Sequence, residues 1–153
     1  MAEAVAEIDY LWRGFERRWS NLVKRSRKYG VALPDKQELW SRLLSHYYKG
    51  FRCEYCGAQM LVKSPKGKVH PFVWSIEHKI PLSEGGDNNM DNIAFVCHRC
   101  NLVKGTLPGY AWEVAVRAMQ ERLGGELYER AMRMAYRGAL ANKIERVKKE
   151  VSE

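Results

Sequence analysis

Long apolar runs are missing from this 153-residue sequence. No stretch approaches the roughly 20 consecutive apolar residues that a membrane-spanning helix needs. The N-terminal segment contains acidic residues and no basic region ahead of an apolar stretch, so no signal peptide is predicted. Internal repeats and low-complexity tracts are also missing. We therefore expect a cytoplasmic protein without a membrane partner, built as one domain or as a small core with helical extensions.

Cysteine is scarce, and none lies outside two Cys-x2-Cys pairs. The pairs are Cys53 with Cys56 and Cys97 with Cys100. Two disulfides would be an alternative, but they need an oxidising compartment, and the sequence contains no export signal. Each pair has the spacing of a tight knuckle whose two thiolates face one ion. The cysteines therefore predict a tetrahedral structural Zn²⁺ site.

Acidic residues are outnumbered by basic ones. The sequence has 26 Lys and Arg against 18 Asp and Glu, a formal charge of +8. Such an excess favours a polyanionic partner such as nucleic acid, although it also fits a basic surface that only keeps the protein in solution. Charge alone does not distinguish DNA from RNA, or an enzyme from a binding protein.

Helical periodicity occupies the first third of the sequence. Apolar residues recur at i, i+3, i+4 and i+7, which predicts an amphipathic helix ending near Gly30. Asp35 followed by Glu38 is a capping-box pattern, so a second helix is expected to begin there and to end near Gly50. The apolar positions of the first helix are Ile8, Leu11, Trp12, Phe15, Trp19, Leu22 and Val23.

The helical period stops near Phe51 and returns only after Gly109. Beyond that point, Gly124 and Gly125 predict a break before a last helix rich in Arg and Lys. Between the helical parts, β-branched residues and turn residues predict short strands. The expected elements are strands over 60–62 and 69–74 joined by a turn over 64–67, strand continuing through 75–80, a strand over 92–96, and a short helix over 98–104.

Chemically informative residues are concentrated in residues 75–107. Glu77 is next to His78, Asn92 follows a glycine-containing loop, and Asn101 comes directly after Cys100. The predicted order of strand, loop, strand and helix places these groups on a ββα hairpin. A helix this short is not stable alone, so the zinc site would be what gives Asn101 a fixed position.

This pattern resembles the HNH endonuclease family, from residue 51 to about residue 107. The resemblance implies an α+β fold in which a ββα-metal (HNH) core with a four-cysteine zinc site is flanked by N- and C-terminal helices. It divides the chain into an N-terminal helical extension over 1–50, a zinc-bound nuclease core over 51–108 and a C-terminal helical extension over 109–153. The matching residues are Cys53, Cys56, Glu77, His78, Ile80, Pro81, Gly85, Gly86, Asn92, Cys97, Cys100, Asn101 and Lys104.

The resemblance also implies a metal-dependent DNA endonuclease or nickase. His78 would be the general base, since a neutral imidazole accepts a proton at neutral pH. Glu77 and Asn101 would hold one Mg²⁺ or Mn²⁺, although the family usually has Asp where this chain has Glu77. Asn92 would orient the loop that carries the base, and Lys104 would lie within reach of a phosphate. A homodimer is favoured if one site must cut both strands.

Each of these positions also has a structural alternative. His78 could be a surface histidine, Asn92 a turn residue and Lys104 a solvated lysine. The leading alternative function is a zinc-stabilised nucleic-acid-binding module with an inactive nuclease site, and an RNA-directed zinc ribbon is a third. The retained His78, Asn92 and Asn101 favour the enzyme. The arginines expected to contact DNA are Arg17, Arg18, Arg25 and Arg99.

Overall fold

A computed structural model describes residues 2–65 and 68–152 of the chain. The main elements are the helices α1 (Ala2–Tyr29) and α2 (Lys36–Tyr48), the strands β1 (Trp74–His78) and β2 (Ile93–Cys97), and the helices α3 (His98–Lys104) and α4 (Gly109–Ser152). Two short 3-10 turns, Leu82–Glu84 and Met90–Asn92, lie between the strands. Part of the turn expected over 64–67 lies outside the described residues, since residues 66 and 67 are not described.

The two N-terminal helices form as their sequence patterns predict. α1 buries Leu11, Phe15 and Leu22, which lie on one face of the helix. α2 begins after Asp35, whose side chain accepts a hydrogen bond of 2.9 Å from the backbone N–H of Glu38. This bond satisfies one of the free N–H groups at the start of the helix, as expected for a capping residue.

The sheet consists of β1 and β2, which pair antiparallel with Trp74 opposite Cys97 and His78 opposite Ile93. β1 is shorter than predicted. The backbone N–H of Ile80 donates to the side chain of Asn92 at 2.9 Å, so the ladder ends before Ile80. Asn92 itself lies in the 3-10 turn that precedes β2, instead of in the strand.

The strands expected over 60–62 and 69–73 are reduced to one isolated bridge, between Leu61 and Val73. The chain turns sharply on either side of that bridge. On one side the N–H of Cys53 bonds to the carbonyl of Ala58 at 2.8 Å, and on the other the N–H of Val73 bonds to the carbonyl of His70 at 3.1 Å. The turns leave too few extended residues for a regular strand.

The C-terminal half is helical and packs on α3. α3 spans the predicted residues and buries Cys100 and Lys104. α4 buries Trp112 and Val116, and its backbone is non-helical at Gly124, with φ 72° and ψ 175°. Such a positive φ strongly favours glycine, which explains the predicted break. A single cluster of buried apolar side chains contains residues from α1, α2, both strands and α4.

The molecule is therefore a mixed α+β fold, with a small two-stranded sheet between helices and the four cysteines beside it, consistent with a ββα-metal core. Within the described ranges, no helix has both the length and the apolar character that crossing a membrane requires.

Candidate active site and cysteine cluster

The four cysteines meet at one point, as their spacing predicts. Their sulfur atoms all lie within 4.8 Å of one another, and Cys56 Sγ is 3.9 Å from Cys97 Sγ. A tetrahedral Zn²⁺ with Zn–S bonds of about 2.3 Å places sulfur atoms ~3.8 Å apart. Cys53, Cys97 and Cys100 are buried, and Cys56 is half-buried. The cluster thus has the donors and spacing for a structural metal ion such as zinc.

Backbone hydrogen bonds shape both knuckles around their sulfur atoms. The N–H of Tyr55 is 3.4 Å from Cys53 Sγ, and the N–H of Cys100 is 3.4 Å from Cys97 Sγ. Donors aimed at sulfur stabilise a thiolate, which is the form that binds metal. Because Cys97 ends β2 and Cys100 lies in α3, a bound ion would fix the start of α3 against the first knuckle.

His78 is the last residue of β1, and only 1% of it is exposed. Its Nε2 is 2.6 Å from Asn88 Oδ1, and its Nδ1 is 3.1 Å from Nη2 of Arg25 on α1. Burial lowers the pKa of His78, and the positive charge of Arg25 lowers it further. The neutral imidazole is therefore favoured, which is the form a general base needs.

Glu77 precedes His78 and is 7% exposed. Its Oε1 is 3.6 Å from Lys104 Nζ, whereas its Oε2 has no hydrogen-bond partner among the described residues. Burial raises the pKa of Glu77 to about 7, although Lys104 and Arg25 act in the opposite direction. A buried oxygen without a partner costs free energy, and a bound cation would offset that cost. Glu77 is therefore suited to be a metal ligand.

Lys104 does not lie where a lysine that contacts phosphate was expected. It is 2% exposed, and its Nζ is 3.6 Å from Glu77 Oε1 and 3.4 Å from the carbonyl oxygen of His78. α3 packs against β1 and places this ammonium beneath the strand. The position of Lys104 explains how the carboxylate of Glu77 can be accommodated in the interior, because a buried charge needs a partner.

Asn92 bridges the two sides of the loop between the strands. Its Oδ1 accepts from the N–H of Ile80 at 2.9 Å, and its Nδ2 donates to the carbonyls of Ile80 at 3.1 Å and Asp87 at 2.8 Å. Gly86 closes the loop, since a Cβ there would lie 1.8 Å from the carbonyl oxygen of Ile80. These contacts are the kind that the predicted orienting role requires.

Asn101 contacts β1 one turn of α3 before Lys104. Its Nδ2 is 3.3 Å from Ser75 Oγ. Alternation along a strand puts Ser75 and Glu77 on the same face, so Asn101 and Lys104 lie along the face that carries Glu77. His78 is bound from α1, on which the guanidinium of Arg25 is close enough to lower the pKa of both Glu77 and His78.

Comparison with known proteins agrees with this arrangement. The HNH endonuclease family model matches residues 53–107. Residues 53–107 are called the HNH domain below, after the family model that they match. The chain is also 30% identical over 80 residues to the CRISPR-associated endonuclease Cas9 of Corynebacterium diphtheriae. That alignment covers 52% of the chain and 6% of the relative, so the chain spans only a small part of that protein's length.

Two of the four arginines expected on a DNA-binding surface are buried or half-buried, and their guanidinium groups are bound within the protein. Arg99 is 3% exposed and bonds Glu129 at 2.7 Å. Arg18 stacks on Trp74 at 4.0 Å and donates to the carbonyl of that residue at 2.7 and 3.1 Å. Both arginines therefore stabilise the packing of helices around the HNH domain, and we correct their assignment.

Arg17 and Arg25 are exposed on α1. Arg25 contacts the HNH domain through His78, as described above. Arg17 lines a groove of about 420 Å³ between α1 and residues 62–64, 68–69 and 73, together with Arg13, Lys63 and Lys68. Arg17 and the three basic residues beside it in this groove are all exposed, unlike Arg18 and Arg99.

Sequence reasoning missed Asn88 and Ser26, which complete the surroundings of His78. Asn88 is 6% exposed, and its Nδ2 donates to Ser26 Oγ at 2.8 Å and to the carbonyl of Ala32 at 2.9 Å. In the sequence, Asn88 is one of several polar residues in a loop and resembles an ordinary turn residue. Ser26 lies on a helix outside the HNH motif, so no local pattern connects the two.

Proposed function

We propose that this chain is a metal-dependent DNA endonuclease or nickase that hydrolyses phosphodiester bonds with His78 as general base. The observation that carries the proposal is the setting of His78, a buried imidazole at the end of β1 whose two ring nitrogens contact Asn88 and Arg25. Holding the base still matters because small displacements of a reacting group reduce the rate strongly. The endonuclease named in the comparison supports a nucleic-acid substrate, and we propose that this substrate is DNA.

Glu77 and Asn101 are the residues that would hold one Mg²⁺ or Mn²⁺. Carboxylate and amide oxygens are ligands that these ions accept, and Oε2 of Glu77 lacks another partner among the described residues. A divalent cation there would stabilise negative charge on the phosphate and on the leaving oxygen. Lys104 would balance the charge of Glu77 from beneath, and Asn92 would keep the loop in place.

Arg25 is proposed to bind a DNA phosphate beside the base. Its guanidinium is fixed in charge, carries donors that match phosphate oxygens, and lies on the exposed side of α1. In the free protein it donates to Nδ1 of His78 at 3.1 Å, which is the nitrogen that must accept a proton from water. Transfer of Arg25 to a phosphate would release Nδ1 for that step. Arg17 would contact the backbone further along α1.

The test is nicking of supercoiled plasmid in the presence of Mg²⁺ or Mn²⁺. We expect relaxed circles that EDTA prevents, and no cutting by His78→Ala. His70→Ala is the matched control, because His70 is only half-buried and its ring accepts a hydrogen bond from Phe72 away from this site. Cutting by His78→Ala at the parental rate would contradict the assignment of the base.

The same assay distinguishes the proposed endonuclease from the alternative function. A parent protein that binds plasmid DNA but leaves it intact with either metal ion would instead be a zinc-stabilised binding module. Cutting of RNA in preference to DNA of the same sequence would contradict the proposed substrate. The homodimer remains a prediction from the need to cut two strands.

A further inference from the structure

We infer that Asn88 is a positioning residue that holds His78 as the tautomer protonated at Nε2, and that it is itself oriented by the end of α1. The assignment of the tautomer rests on the contacts of His78 alone, whereas the role of that tautomer in catalysis rests on the proposed function. The chain would then need residues outside the HNH domain to prepare its base.

The orientation of the Asn88 amide is assigned from its partners. One end lies 2.9 Å from the carbonyl oxygen of Ala32 and 2.8 Å from Ser26 Oγ. A carbonyl oxygen only accepts, so this end must be the NH₂ group. The other end is therefore the amide oxygen, which lies 2.6 Å from Nε2 of His78.

The ring of His78 then has one possible protonation pattern for its neutral form. An amide oxygen only accepts, so Nε2 must carry the proton. On the opposite side, the guanidinium of Arg25 only donates, so Nδ1 at 3.1 Å must carry a lone pair. Two independent contacts thus select the same tautomer, with Nδ1 as the nitrogen able to take a proton from water.

The anchor of Asn88 comes from α1 and from the segment directly after it. Ser26 is fully buried, and Asn88 is 6% exposed, so water competes little for these bonds. Ser26 and Ala32 both precede residue 53, where the HNH domain begins. Docking of α1 therefore acts on His78 through a single amide group, in addition to the direct contact from Arg25.

Nitrogen-15 NMR of the full chain, labelled at histidine, tests the tautomer without reference to cleavage. We expect the His78 ring to show a protonated Nε2 and an unprotonated Nδ1 at neutral pH, with its signals assigned by their loss in His78→Ala. A parent ring protonated at Nδ1 and bare at Nε2 would overturn the inference.

Substitution of Asn88 tests its positioning role. In Asn88→Ala we expect a shifted Nε2 signal, because its proton loses the buried acceptor while Arg25 still faces Nδ1. We also expect a single-turnover nicking rate at least about tenfold lower, with DNA affinity within about twofold of the parent. Asn89→Ala is the matched control, because Asn89 is the exposed neighbour whose side chain bonds Asp87. Parental ring signals and a parental rate in Asn88→Ala would refute the proposal.

Ser26→Ala provides a second route if Asn88→Ala does not fold. It removes one of the two anchors and should change the ring signals and the rate in the same direction by a smaller factor. A parent with the expected tautomer that cuts no DNA would refute the proposed function and leave the tautomer assignment intact.

Discussion

At the scale of single residues, the motif indicated candidate site positions, but it did not indicate how deeply several of them are buried. Glu77, His78, Asn92 and Asn101 could be named as candidates because they match the pattern of the family that the sequence resembles. The interior positions of Lys104 and Arg99, which are 2% and 3% exposed, could not, because basic residues are rarely buried and no local pattern indicates the packing that encloses them. Asn88 was missed because its partner Ser26 is distant in the sequence.

Substitution of Lys104 distinguishes its buried position from the expected phosphate contact. Lys104→Met removes the ammonium that keeps the pKa of Glu77 from rising further, so an ionised Glu77 becomes more costly in the interior. At a pH above 7, where Glu77 ionises in the parent, we expect the free energy of unfolding to fall by about 3 kcal/mol in urea titrations without added divalent ions. Adding Glu77→Gln should restore part of that loss, because the uncompensated charge is then removed. Unchanged stability combined with weaker DNA binding would instead support a surface lysine that contacts phosphate.

At the scale of elements, periodicity was a good guide to helices and a poor guide to strands. The helical face of α1 is encoded locally, whereas a strand depends on a partner elsewhere in the chain. Leu61 and Val73 therefore form only an isolated bridge, although their sequence resembles strand. α3 was predictable because Cys97 directly precedes its first residue, and because Cys100 within it belongs to the expected metal site.

Loss of the metal ion should act on α3 first. A seven-residue helix needs external support, which an ion bound by the cysteine cluster would provide. We expect one Zn²⁺ per parent chain by elemental analysis, and little or none in Cys100→Ser, together with a lower melting temperature and reduced helical circular dichroism. His98 lies within the same knuckle but is not one of the four clustered residues, so His98→Gln should keep the ion. A zinc-free parent with unchanged melting would remove the structural role of the cluster.

At the scale of the whole molecule, the charge of +8 predicted a polyanionic partner but did not show where it would bind. The fold narrows the choice of binding surface, because it buries Arg99 and half-buries Arg18 while leaving Arg17 and Arg25 exposed. Arg25 also contacts His78, so the same helix that offers positive charge forms one side of the candidate site. A duplex bound along α1 would therefore be brought to His78 by the surface that attracts it.

Salt-dependent binding tests this arrangement. Each basic residue that contacts a phosphate releases about one counterion, so the double variant Arg17→Ala, Arg25→Ala should flatten the slope of log affinity against log salt by about 2. The control Arg130→Ala, Arg133→Ala removes the same charge from exposed positions on α4 and should leave the slope nearly unchanged. Fluorescence anisotropy of a labelled duplex at several salt concentrations measures both slopes. Equal slopes for the two double variants would mean that α1 attracts DNA only through the net charge of the protein, and the path of the duplex past His78 would then have to be sought elsewhere on the surface.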